Sequence, residues 1–180
     1  MMHWELLFIK NVTYFYKTVL MEDYLVNDYI QTMRNLIGHE TLLTIGCGAI
    51  IEDELGRILL QRRTDNNTWG IPGGIMEIGE TFEETVKREV LEETNLVLKY
   101  LSLFGLYSGK KGFASYPNGD QVYSVQIILF TKNYDGELNM NNESKELYFI
   151  AKENLPLNLN PTQAPFILDW KSDIQKPILK

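Results

Sequence analysis

The chain has 180 residues, 44% hydrophobic and 23% charged, the proportions of a globular domain long enough to bury a core. Its net charge is −7 and its sequence pI is about 4.9, so it carries no basic footprint for a nucleic-acid polymer. The single Cys47 excludes an intrachain disulfide, and His3 and His39 are too far apart to suggest a zinc site.

In chain order, residues 1–20 are rich in aromatics (Trp4, Phe8, Tyr14, Phe15, Tyr16) without a clean period. They read as an N-terminal extension whose role stays open: an added strand, an interface element or a segment outside the core domain. The most apolar stretch, Trp4 to Met21, is broken by Glu5, Lys10, Asn11 and Lys17 and lacks a basic start and a cleavage site. Neither a membrane partner nor a leader is expected, and the expected location is cytoplasmic.

Residues 21–41 are expected to supply a helix leading into the domain: Tyr24, Leu25, Val26, Tyr29, Ile30, Met33 and Leu36 recur at helical spacing between Asp23 and Leu36, and Gly38 ends the pattern. From residue 42 to 180 the pattern is that of one domain. Leu42 to Ile51 is β-rich, Asp53 to Gly56 is a turn, and Arg57 to Arg62 returns as a strand. Further strands are predicted at Leu96 to Leu106, Gln121 to Thr131 and Glu146 to Ala151. Turns are predicted at Tyr116 to Asp120 and at Asp135-Gly136, and a closing helix at Pro161 to Ser172. Mixed strands with two or three helices packed on the sheet faces predict an α/β sandwich. Cys47 lies in an apolar run and reads as a buried core residue.

The most informative segment runs from Gly74 to Leu96, GIMEIGETFEETVKREVLEETNL. Thr81 with Glu84 forms a capping box that starts a helix, with Glu83 and Glu84 as favourable first-turn acids. Phe82, Val86 and Val90 make an apolar stripe that seats the helix on a sheet. A helix advances roughly 100° per residue, so Glu89, Glu92 and Glu93 project from one face beside that stripe. Three carboxylates so close repel one another, and a hard divalent cation with oxygen ligands relieves that repulsion. Asn95 falls where a left-handed residue is expected to end the helix. Ahead of the helix, Pro72-Gly73-Gly74 forms a bend that lets backbone approach a ligand or metal.

At these residues the chain resembles the MutT-like Nudix hydrolases. Their signature is Gly, five residues, Glu, seven residues, Arg-Glu, an aliphatic, any residue, Glu-Glu, any residue, Gly, an aliphatic. It falls here on Gly74, Glu80, Arg88-Glu89, Val90, Glu92-Glu93, Asn95 and Leu96, with Asn95 in place of the last Gly. Both residue types suit positive φ. The resemblance covers roughly Leu42 to Pro156 and implies an αβα sandwich around a mixed sheet.

The resemblance also implies a reaction: hydrolysis of a phosphoanhydride in a nucleoside diphosphate linked to another moiety, assisted by magnesium or manganese. Glu89, Glu92 and Glu93 would hold the cation, with the Gly74 carbonyl as a further ligand and Glu89 as first candidate for general base. Arg88 belongs with them in the catalytic group through a supporting ion pair with Glu80, Gly73 and Gly74 shaping the loop. A distal acid is expected at Glu143, with Asp120 as the competitor. For substrate, Arg62 or Arg63 would meet a phosphate, and Trp69, Tyr107, Phe113 or Tyr116 would stack a base; surface solubility and core packing are the plain alternatives.

The expected partner is a small nucleotide derivative: ADP-ribose, an oxidised nucleoside triphosphate, a nucleotide sugar or a dinucleoside polyphosphate. No nucleic-acid polymer is expected, and a homodimer is an open assembly. The alternative function is a nucleotide-sensing module that keeps the fold without turnover. Such modules lose signature acids, whereas Glu80, Arg88, Glu89, Glu92 and Glu93 are all present. An enzyme acting on the 5′ triphosphate end of RNA is disfavoured by the negative charge.

Overall fold

The computed structural model describes residues 29–116 and 118–180. The expected extension at residues 1–20, the first part of the expected helix and Pro117 lie outside them. The chain divides into two compact units, one holding the described helix before Gly38 together with residues 77–79, the other holding residues 39–76 and 80–180.

In the first unit, helix α1 spans Tyr29–Ile37. It stops where expected: Gly38 has φ +60, its N–H donates to the Arg34 carbonyl at 2.8 Å, and Arg34 Nη1 donates to the Gly38 carbonyl. Only glycine adopts that left-handed turn without a steric cost.

The second unit is built on a mixed six-stranded sheet. Its strands are β1 (Leu42–Ile51), β4 (Gly73–Ile75), β6 (Ser102–Tyr107), β7 (Phe113–Ser115), β8 (Gln121–Thr131) and β11 (Ile178–Leu179). The order is β11-β6-β8-β1-β4, with β7 paired to β8. β1 and β8 run parallel from Leu42 opposite Val122 to Ile51 opposite Thr131, while β4 and β6 run antiparallel to their neighbours. A smaller antiparallel sheet orders β10 (Ser144–Ile150), β2 (Ile58–Arg63) and β3 (Trp69–Gly70). A third pair joins β5 (Val97–Leu98) to β9 (Tyr134–Asp135). The helices of this unit are α2 (Phe82–Thr94) and α3 (Ala164–Lys171).

Most predicted elements fall within two residues of their observed bounds, and the Leu42–Ile51 and Gln121–Thr131 strands match at both ends. Two differ in kind. The strand expected from Leu96 to Leu106 is two strands in two sheets, β5 and β6, separated by residues 99–101. The turn expected at Asp135-Gly136 begins inside β9, and only Gly136, with φ +100, leaves the strand. The two-residue strands escaped prediction because each is set by its partner rather than by its own pattern.

Two apolar cores result. One joins Cys47, Ala49, Leu59, Ile127 and Leu129 to Val86 and Val90 of α2. The other joins Ile50, Ile58, Ile71, Phe104 and Ile128 to Phe166, Ile167 and Trp170 of α3. Val86 and Val90 are fully buried, each worth roughly 1.5–3 kcal/mol of transfer free energy. The stripe expected to begin at Phe82 does not: Phe82 is 44% exposed, and Thr85 takes the buried place in the first turn, its hydroxyl donating to Glu80 at 2.8 Å.

Candidate active site

Helix α2 forms as its ends dictate. Thr81 accepts the Glu84 N–H, and Glu84 accepts the Thr81 N–H and hydroxyl, completing the capping box. Asn95 has φ +63, and its N–H closes on the Leu91 carbonyl. These ends set the rotation of the helix, and burial of Val86 and Val90 carries Glu93, one turn on, into the interior.

Glu93 is 3% exposed. Its Oε2 accepts the Gly73 N–H at 2.8 Å and Gln61 Nε2 at 2.9 Å, and Ser144 donates in turn to Gln61. Arg63 Nη1 stands 3.8 Å from its Oε1. Burial pushes the Glu93 carboxyl up to about 7, the Gln61 and Gly73 hydrogen bonds opposing and Glu89 reinforcing that rise. Gly73, at φ +149, lies flat against β1, where a Cβ would collide with the Cys47 carbonyl. A Cβ at Gly74 would collide with the Glu89 carboxylate, so that glycine leaves the space the carboxylate occupies.

Glu89 is mostly buried; burial raises its carboxyl, Arg88 counters, and Glu92 and Glu143 reinforce. Arg88 makes a fork onto Glu80 (2.6 and 3.0 Å), donates to Glu89 Oε1 at 2.8 Å and reaches the Ile75 carbonyl at 3.3 Å. Pairing with Glu80 first, then Glu89, raises its pKa above the usual arginine range and keeps it charged, against the opposing effect of burial. Arg88 therefore ties the helix to the Gly73–Ile75 strand. Glu92 is the exposed member, its side chain 58% accessible and 3.6 Å from Arg88.

The three glutamates share one end of α2 but do not close on a point. Among the described residues no group of three acidic, histidine or cysteine side chains forms a ready cation cage. The donor set nevertheless fits a hard divalent cation. All its donors are oxygens, two of its carboxyls are raised by burial and by neighbouring carboxylates, and exposed Glu92 keeps its rotamer freedom. Glu143 acts electrostatically on both Glu89 and Arg63, which places it near the cluster. Asp120 instead hydrogen-bonds His39 and Asn118 in the 116–120 turn.

Beside this cluster lies a cavity of about 230 Å³. Its floor is one face of the sheet, Thr44, Gly46 and Gly48 of β1 opposite Ser124, Gln126 and Ile128 of β8. Gly73, Gly74, Arg63 and Tyr116 line it as well. Arg62 and Trp69 do not: Arg62 is paired with Glu146 and Asn67, and Trp69 is 9% exposed in the α3-side core, tilted against Tyr148. Strand alternation separates Arg62 from Arg63.

Gln163, just before α3, also lines the cavity and accepts the Ile71 N–H at 2.8 Å through Oε1. It and the wall residues Gln126, Ser124 and Asn160 carried no sequence signal, being distant polar side chains that only folding assembles. Gln61 did carry one: a lone amide directly after the apolar run Ile58–Leu60, later buried to 1%. Cys47 is buried as expected, and burial, then Glu80 and Glu89, pushes its thiol up to about 11. No helix among the described residues is long and apolar enough to cross a membrane.

The NUDIX domain family model matches residues 42–170. The ADP-ribose pyrophosphatase of Methanocaldococcus jannaschii is 36% identical over 116 residues, 62% of this chain and 64% of that protein. A MutT-like protein of Streptomyces ambofaciens is 42% identical over 66 residues, 37% of this chain and 43% of that protein. The chain thus spans less than two thirds of the length of these two curated relatives. The crystal structure of a MutT NUDIX hydrolase from Burkholderia pseudomallei superposes with a TM-score of 0.60 at 26% identity, covering 71% of this chain and 97% of that one.

Proposed function

The chain belongs to the Nudix family, and we propose that it is a divalent-cation-dependent hydrolase of a phosphoanhydride in a nucleoside diphosphate derivative. The observation that supports this most is the bond from the Gly73 N–H to Glu93, which joins the acidic end of α2 to the Pro72–Gly74 bend beside the cavity. The name of one relative, an ADP-ribose pyrophosphatase, agrees with this reaction class.

In this reading Glu89, Glu92, Glu93 and the Gly74 carbonyl would hold magnesium or manganese, with Glu143 in support. When bound, such a cation would supply charge to offset the diphosphate and would favour ionisation of water. The chain's own groups do the rest. Arg88 occupies Glu89 Oε1 and leaves Oε2 to take the proton of the attacking water. Arg63, at the cavity wall and held by Asp65 through its Nε and Nη2, offers its Nη1 to a phosphate oxygen, and Tyr116 covers the nucleoside. Gly73 packs its backbone against β1, and Gly74 leaves room for the Glu89 carboxylate, because neither has a side chain.

The test is a panel of nucleoside diphosphate derivatives incubated with magnesium, with products identified by mass. Appearance of a nucleoside monophosphate supports the reading. Binding without products across the panel would favour a silent nucleotide-sensing module.

A further inference from the structure

The acids of the site sit on two separate elements. Glu89, Glu92 and Glu93 belong to α2, whereas Glu143 immediately precedes β10. One buried side chain spans the two. Gln61, on β2 and 1% exposed, donates through Nε2 to Glu93 Oε2 at 2.9 Å and accepts the Ser144 hydroxyl through Oε1 at 2.6 Å. Ser144 is the first residue of β10 and is buried as well. Beside it, the Glu143 carbonyl accepts the Thr64 N–H at 2.8 Å and the Thr64 hydroxyl at 3.0 Å, which pins this segment to the end of β2.

A local irregularity creates the chain of bonds. Leu147 stands opposite Gln61 and Glu146 opposite Arg62, so a regular ladder would set Lys145 opposite Arg63 and Ser144 opposite Thr64. The register shifts between Ser144 and Glu146, and Ser144 stands opposite Arg63 instead. It thereby joins the face of Gln61 and Arg63, while Lys145 is left exposed. The bulge gives up ladder regularity to aim a hydroxyl at a buried amide. Each such bond contributes only about 0.5–1.5 kcal/mol net, and an apolar pair of the same shape would be about as stable. What the polar pair adds is direction.

That direction is set by the chemistry at each end. An ionised carboxylate only accepts, so the Gln61 amino group faces Glu93 and its carbonyl faces Ser144. The Gly73 N–H donates to the same Glu93 oxygen at 2.8 Å, so both short bonds fall on Oε2. Oε1 keeps its lone pairs, with Arg63 Nη1 3.8 Å away.

We propose that Gln61 is a positioning residue of the cation site: held by Ser144, it fixes the Glu93 carboxylate so that Oε1 is the oxygen offered to a divalent cation, and it ties the Glu143 segment to α2. The proposal rests on the cation-dependent hydrolase reading. Neither Gln61 nor Ser144 lines the cavity, and both act through Glu93.

The experiment titrates the metal-free protein with manganese alone by calorimetry. It also measures kcat and KM on the compound that the wild type cleaves fastest in the nucleotide panel. Gln61→Met keeps the volume and loses both bonds, Ser144→Ala removes only the hydroxyl, and Ser144→Thr retains one. Gln61→Met should weaken manganese binding about tenfold and lower kcat by a similar factor while KM stays within about twofold. Ser144→Ala should weaken manganese binding about threefold, with Ser144→Thr near the wild type. Wild-type manganese affinity in Gln61→Met or in Ser144→Ala, whatever their melting temperatures, overturns the proposal, as does a Ser144→Thr protein no better than Ser144→Ala. If Gln61→Met does not fold, the two Ser144 variants decide. A wild type that binds manganese yet cleaves nothing in the panel ends the hydrolase reading alone, and the manganese affinities still decide the positioning role. A wild type that takes up no manganese overturns both.

Discussion

Glu93 Oε2 accepts the Gly73 N–H across 2.8 Å, a bond that locks the last turn of α2 to the bend twenty residues earlier in the chain. A neutral amide at position 93 can keep both incoming hydrogen bonds while losing the charge. We predict that Glu93→Gln and Glu92→Gln each lower turnover by roughly two orders of magnitude, the scale of a lost charge-stabilising group. Far-UV circular dichroism should show both variants folded. Wild-type turnover in both would refute the assignment of these glutamates.

The same carboxyl sets a pH dependence in the metal-free protein. Its pKa is raised from 4.5 to about 7, so the folded state binds this proton more tightly than the unfolded state. The stabilisation is complete below about 4.5 and is lost as pH rises through about 7. Melting in EDTA should show the wild type losing stability relative to Glu93→Gln between pH 5 and 8, by up to roughly 3 kcal/mol. A pH-independent difference between the two proteins would contradict this.

Arg88 presents a fork that lysine cannot copy, serving Glu80, Glu89 and the Ile75 carbonyl at once. Arg88→Lys should lower kcat by about tenfold with little change in KM, because the variant misplaces Glu89 without touching substrate binding. The profile of kcat against pH should shift as well. A pure KM effect would instead place Arg88 on the substrate.

Gln163 tests the support of the glycine-rich bend from the α3 side. Its carboxamide is the acceptor for the N–H of Ile71, a residue only 1% exposed. Gln163→Leu should cost about 1–3 kcal/mol by leaving that buried donor unpaired. Gln163→Glu, which keeps an acceptor, should recover most of the loss in thermal melts.

Cys47 should behave as an inert thiol. With 2% exposure and a pKa pushed up to about 11, it carries almost no thiolate at pH 8. Iodoacetamide should label it only after denaturation, as read by intact mass. Rapid labelling of the native protein would mean that β1 opens locally.

Helix α2 was legible in the sequence down to its caps because capping, left-handed termination and side-chain spacing are interactions within one or two turns. Thr81, Glu84 and Asn95 meet partners a few residues away, so the chain needs no distant information to place them. The register of β1 with β8 was legible only as two strands. Which face each presents depends on pairing residues about eighty positions apart.

What the sequence by itself determined is therefore the acidic helix, its ends, the bend before it and the alternation of mixed strands. Only the tertiary structure decided that Glu93 is buried while Glu92 stays in water, that Arg63 reaches the cleft while Arg62 does not, and that Gln126 and Gln163 line its walls. The reason is physical. Local hydrogen bonds and steric preferences are written in neighbouring residues, whereas desolvation and cavity shape are properties of surfaces that exist only once distant segments pack.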